Sequence, residues 1–145
     1  KYLSITEIQE GLLEEGIDGS YFCEYPVFKE VYRLFSRMAS RLNVECYICL
    51  VDIMLQEGID SGSEFGGKVL RKGMIEMKGI IKGYLRTGDF ASRYSQSQYL
   101  ILLQTHNLQD VKNVLKRLEN KFYGKVTLPI VVKTSSLQIS SGENK

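Results

Sequence analysis

The chain has 145 residues, 43% hydrophobic and 25% charged, which suits one domain with an ordinary buried core and excludes a disordered chain. Its net charge of +2 is too small to imply a nucleic-acid-binding face. No apolar run approaches the ~18 residues that a membrane helix needs, and no signal peptide is visible.

Ser4-Ile-Thr-Glu7 fits the capping box, in which a serine and a glutamate satisfy two orphan amides reciprocally. It predicts a helix from Ile5 to Glu15, with Gly16 as its stop and a narrow stripe of Ile5, Ile8, Leu12 and Leu13. Such a helix lies on the domain or links it to an upstream one, and residues 1–19 are read as that linker. The start at Lys1 rather than Met reads as a piece of a longer protein. Gly16 to Glu24 reads as a loop. Pro26 then suits a first helical turn, and Phe28, Val31, Tyr32, Phe35, Met38, Ala39 and Leu42 carry a 3.6-residue period to a stop at Asn43. Aromatics at that spacing read as core rather than as a ligand box.

Cys46 to Met54 is the apolar, β-branched run of a central strand, with Asp52 as its one charge. Gln56 to Gly67 reads as a loop and Lys68 to Leu85 as a helix, where Gly73, Gly79 and Gly83 suggest close packing. Phe90–Tyr94 and Tyr99–Leu103 alternate around a polar Ser-Gln-Ser-Gln turn, the pattern of a β-hairpin. Asn107 caps a helix to about Lys121, with a solvated basic face. Val126 to Lys133 reads as a strand whose Pro129 implies an edge or a bulge; Thr134 to Ile139 is open to extending it. Ser140 to Lys145 reads as a loose tail. The predicted order is α-α-β-α-β-β-α-β, an α/β sandwich of one sheet flanked by helices, with residues 20–139 as the domain.

Candidate chemistry is sparse. Cys46 and Cys49 form C-x-x-C, but residues three apart on a strand face opposite ways, so buried structural thiols are the better reading. With Cys23 they make an odd count and no disulfide framework, which fits a reducing, cytoplasmic compartment. Gly62 to Lys68 fits G-x-x-x-x-G-K, yet Val69 stands where a phosphate loop needs Ser or Thr for magnesium. His106, the single histidine, reads as a surface loop residue, and Ser95 and Ser97 have neither an elbow context nor a base. Asp52 is the acid to watch, because a carboxylate near the end of a central strand often faces a site.

With these segments in view, the chain resembles the GGDEF domains, the diguanylate cyclases, over about Tyr25 to Lys133. That family reads D-x-D-x-F-K at its first strand, G-D-x-x-L opening a helix, and R-x-G-D-x-x-A-R-Y-G-G-D-E-F-L-I-L-L. Here the last stretch is Arg86-Thr-Gly-Asp-Phe-Ala-Ser-Arg-Tyr94, Ser95-Gln-Ser-Gln-Tyr99 and Leu100-Ile-Leu-Leu103. Asp52 falls at the first metal-binding aspartate and Gly66 to Leu70 at the G-D-x-x-L segment. The resemblance implies a nucleotidyl-cyclase-like, mainly antiparallel sheet with the signature hairpin at its edge.

The departures fall on the chemistry. Ser95, Gln96, Ser97, Gln98 and Tyr99 replace the signature, so both glycines are lost and both acids become neutral. Two magnesium ions need hard anionic oxygens, which Asp52 alone does not supply. Glu57 stands at the lysine of D-x-D-x-F-K, Gly67 at the guanine-contacting acid, and the family's last helix and strand are missing. The expectation is therefore a degenerate GGDEF domain without enzyme activity, catalytic residues, cofactor or metal. It would act as a regulatory or interaction module of a cytoplasmic bacterial signalling or transcription regulator. Its partners would be other domains of the same protein, a protein partner or a second copy, with no nucleic acid and no membrane. Asp52 and Arg93 are the residual ligand contacts in an alternative reading, a receptor for GTP or cyclic di-GMP without turnover; a diverged nucleotide cyclase ranks below it. The R-Y-S-x-S-Q-Y hairpin is also similar to that in the C-terminal domains of bacterial activators of the antibiotic-regulator (SARP) type, which would put DNA-binding and helical activator domains upstream.

Overall fold

The structure, a computed structural model, describes residues 4–13, 21–43, 45–105 and 107–139. The predicted stop at Gly16, His106 and the tail from Ser140 lie outside them.

The capping box forms as read: the Ser4 amide donates to Glu7 Oε1 at 2.9 Å and the Glu7 amide to Ser4 Oγ at 3.2 Å. The helix it opens, α1, spans Ile5–Leu12 and ends at an extended Leu13, short of the predicted Glu15. The expected loop before Pro26 contains a strand instead, β1, Tyr21–Cys23. Three residues are too few for alternation to register in sequence; β1 exists because it adds to an open sheet edge. Helix α2, Tyr25–Arg41, has Pro26 in its first turn and closes through the Leu42 amide on the Met38 carbonyl at 2.9 Å. Asn43 follows at φ 52°, the left-handed conformation that Asn tolerates after a helix.

Strand β2 is Cys46–Leu55, and helix α3, Glu64–Tyr84, starts a turn earlier than the sequence suggested. Ser63 explains the shift: its Oγ accepts the Gly66 amide at 3.0 Å and caps the helix ahead of the two glycines. The G-x-x-x-x-G-K segment is therefore the cap and first turns of α3 rather than a phosphate loop. The hairpin is β3, Phe90–Ser95, and β4, Gln98–Gln104, joined through Gln96-Ser97 alone. Helix α4, Leu108–Lys125, is capped by Asn107 Oδ1 on the Gln109 amide at 2.8 Å and runs past Lys121. The last strand, β5, is Ile130–Gln138, later than the predicted Val126–Lys133, because Pro129 precedes the ladder instead of interrupting it.

The five strands form one sheet in the order β1-β3-β4-β2-β5, parallel only at β1–β3. This is the mainly antiparallel α+β architecture expected, with two corrections. The observed order is α-β-α-β-α-β-β-α-β, and the hairpin lies inside the sheet, since β1 covers β3 and β2 covers β4. Of the edge or bulge that Pro129 implied for β5, the structure has the edge. Helices α3 and α4 pack one face, where Val51, Ile53, Met77, Ile101, Leu118 and Phe122 meet; α2 packs the other through Phe28, Phe35, Cys46 and Leu102. Tyr99 stitches the first of these layers, its hydroxyl donating to the Met74 carbonyl at 2.7 Å.

Of Gly73, Gly79 and Gly83, only Gly73 serves close packing: a Cβ there would meet the Ile130 side chain, whereas Gly79 and Gly83 face open space. Gly73→Ala is expected to destabilise by about 1–3 kcal/mol through overpacking. Gly79→Ala is expected to stabilise by about 0.5–1 kcal/mol. Urea unfolding of the two variants checks the contrast.

Candidate functional site

The register of β2 with β4 decides what meets at the hairpin turn. Asp52 pairs with Gln98 on β4 and with Lys133 on β5, and the Ile53 amide donates to the Ser97 carbonyl at 2.8 Å. Val51 and Ile53 are buried under α3 and α4, so the intervening Asp52 faces the α2 side, where it is half-buried. The structure thus brings Asp52 beside Gln98 at the signature position.

The turn is occupied with itself. Ser95 Oγ and Gln98 Oε1 share a hydrogen bond at 2.8 Å, and the Ser97 amide reaches Ser95 Oγ at 3.3 Å. The Arg93 Nε donates to the Ser95 carbonyl at 3.0 Å. Beyond Arg93 the ladder bulges, Arg93 pairing with Tyr99 and Ser95 with Gln98 while Tyr94 has no opposite residue. Tyr94 stands out into solvent, edge-on to Tyr25 with ring centroids 5.1 Å apart.

A magnesium pair does not fit these residues. Among the described residues no three His, Cys, Asp or Glu side chains gather in one place, and at the turn Asp52 faces neutral Ser97 and Gln98. The cysteines offer no substitute. Cys46 belongs to the α2-side core and Cys49 to the opposite one. Burial, then the nearby Asp89 charge, push the Cys49 thiol up to about 12, so it stays protonated and inert at neutral pH.

Two features were not visible in sequence. The first is a groove of about 570 Å³ beside the turn, lined by Phe22, Tyr25, Lys78, Arg93, Tyr94 and Ser95 among others. It takes in Arg93 but not Asp52, so the two expected ligand contacts do not share it. Lys78 lies 4.9 Å from the Phe22 ring centroid, a cation held over an aromatic face. Phe22 and Lys78 come from β1 and α3, and only the fold places them next to the hairpin. The second is Asp89, buried at the entrance to β3. Its carboxylate accepts the Arg86 amide at 2.9 Å and the Gln104 amide at 3.4 Å, tying the turn before β3 to the end of β4. Burial raises its pKa, opposed by those two amides and by the Arg86 charge.

No family model matches the sequence, and no curated protein matches it. The fold does match solved structures. A DGC protein from Thermotoga maritima is 15% identical with a TM-score of 0.64, over 84% of this chain and 83% of that one. Diguanylate cyclase SiaD from Pseudomonas aeruginosa, solved in complex with its activator SiaC, is 18% identical with a TM-score of 0.67; the match covers 97% of this chain and 56% of SiaD. The GGDEF domain of DgcB from Caulobacter crescentus, in complex with c-di-GMP, is 13% identical with a TM-score of 0.65, over 90% and 81% of the two chains. The chain has the fold of the GGDEF domains.

Asp89→Ala would strand two amides, and a loss of about 1–3 kcal/mol in urea unfolding is expected. Because the folded pKa lies above the ordinary 3.8, the folded chain binds the Asp89 proton more tightly than the unfolded chain does. Its stabilisation is complete below the unfolded value and is lost as pH climbs through the raised one. Wild type should therefore lose stability relative to Asp89→Asn as pH rises from 3.8; a constant difference would contradict the burial argument.

Proposed function

We propose that the chain is a non-catalytic regulatory or interaction domain, a GGDEF fold whose catalytic centre has been replaced, serving a cytoplasmic bacterial signalling or transcription regulator. The observation that carries this reading is the turn itself. Ser95, Ser97 and Gln98 are neutral and spend their polar groups on one another, beside a lone Asp52. Phosphoryl transfer from a nucleoside triphosphate rests on positioning and on cations that neutralise developing charge. Neutral amides and hydroxyls bonded within their own turn are poor ligands for such cations. The domain would act through other domains of its own protein or through a protein partner; the complex of SiaD with its activator is a precedent for the fold. The transcriptional form of the proposal rests on the similarity of the Arg93 to Tyr99 hairpin to that of SARP-type activators. Among the described residues no helix is long and apolar enough to cross a membrane.

The groove favours a second reading, a nucleotide receptor without turnover. Lys78 and Arg93 offer cations for a phosphate, and Tyr25 and Tyr94 offer aromatic surface for a base. Binding can outlast catalysis on a retained scaffold.

Calorimetric titration with GTP and with cyclic di-GMP, each with and without magnesium, separates the two. The leading reading expects no heat from either nucleotide. Saturable binding that falls about tenfold or more in Lys78→Ala and Arg93→Ala would replace it with the receptor.

A further inference from the structure

The outer edge of β5 is covered over its first half only. The Ile130 amide donates to the Leu128 carbonyl at 2.7 Å, and the Val132 amide to the Tyr123 hydroxyl of α4, also at 2.7 Å. Val132 thus turns its backbone away from β2. In an antiparallel ladder every second residue after it, Thr134, Ser136 and Gln138, does the same. Among the described residues nothing meets these outward amides and carbonyls. Sheet edges are commonly blunted with charges, prolines or bulges. Pro129 and Lys133 stand at the covered half, whereas Thr134 to Gln138 holds neither a charge nor a proline. An edge left in that state is a template for another strand.

The face beside this edge is shaped for particular side chains. Ile130 and Val132 are buried under α3 and α4, so Val131, Lys133, Ser135 and Leu137 point the other way. Helix α2 packs against β3 and leaves them exposed, Leu137 to 69%. A hollow of about 330 Å³ opens there, lined by Ile48, Leu50, Tyr94, Leu100, Ser135 and Leu137 among others. Leu50 stands across the ladder from Ser135, and Ile48 from Leu137. Because Ser135 is small, a long apolar side chain on a strand outside β5 can lie over it and reach the hollow. Lys133, at the other end, makes no ion pair among the described residues.

We propose that Thr134–Gln138 accepts an extended segment of a partner protein as a further strand, antiparallel to β5, with large apolar side chains beside Leu137 and Ser135 and an acidic one beside Lys133. Backbone bonds to Thr134, Ser136 and Gln138 supply affinity, while the hollow and the Lys133 charge supply specificity. β2 shows that this pattern suits β5, since on the inner side it sets Ile48, Leu50 and Asp52 against Leu137, Ser135 and Lys133. A second copy of β5 does not fit, because Ile130–Gln138 contains no acid to set against Lys133.

An NMR titration of the full chain with the peptide acetyl-Thr-Leu-Thr-Leu-Thr-Glu-Thr-amide tests this. Saturable binding is expected, with shifts concentrated on Thr134 to Gln138. Methylating the backbone nitrogens of its first three threonines, which would face Gln138, Ser136 and Thr134, should weaken binding about tenfold or more. Ser136→Pro should do the same from the protein side, because the nitrogen it blocks points away from β2 and the ladder is spared. If that variant fails to fold, the methylated peptide tests the same bonds on the unaltered protein. Lys133→Glu should weaken binding about fivefold, and a peptide with Lys in place of Glu should recover that loss. Absence of saturable binding overturns the proposal, as does binding indifferent to methylation. A dimer in sedimentation velocity that Ser136→Pro dissolves overturns it too, since a second copy would then be the occupant.

Discussion

Seven residue pairs, from Cys46 with Gln104 to Asp52 with Gln98, join β2 to β4, and the other relations of the domain follow from them. Side chains alternate along a strand, so this register decides at once which residues enter each core. Val51, Ile53 and Ile101 go under α3 and α4; Cys46 and Leu102 go under α2. A slip of one residue would bury Asp52 in the apolar layer and expose its neighbours. The register also sets Asp52 against the hairpin turn, and it lines the Tyr99 hydroxyl up with the Met74 carbonyl. The carboxylate of Asp89 secures the far end of the same ladder by holding the Gln104 amide.

With helices packed on both faces, the turn and the strand ends are where chemistry could be carried. At the hairpin turn this scaffold holds hydroxyls and amides. Ser95, Ser97 and Gln98 make a turn that is satisfied internally, and the Arg93 guanidinium is drawn onto the Ser95 carbonyl. Such a turn is a stable rim for the groove next to it.

Much of this was legible in sequence, and the reasons are local. The Ser4 and Asn107 caps, the stop at Asn43, the 3.6-residue stripes of α2 and α4, and the two runs of the hairpin each depend on neighbours within a few positions. What was missed depends on distant parts of the chain. β1 is a strand only because β3 offers an edge, and Pro129 was assigned to the wrong side of a strand boundary because β2 decides where β5 begins pairing. Gly66 and Gly67 read as loop in sequence, whereas the Ser63 cap draws them into α3. At the site, the place of Asp52 and the neutral turn were readable, whereas the groove needs Phe22 and Lys78, which only the tertiary fold brings to Arg93. Asp89 gave no signal as a buried carboxylate, since Arg-Thr-Gly-Asp reads as an ordinary polar turn.

The central proposal is that this domain does not cyclise nucleotides. The most direct measurement is pyrophosphate release from GTP in the presence of magnesium, with product analysis by chromatography. The account predicts no release above the uncatalysed background. Steady, magnesium-dependent release accompanied by a cyclic dinucleotide product would contradict it and place a working metal site beside Asp52.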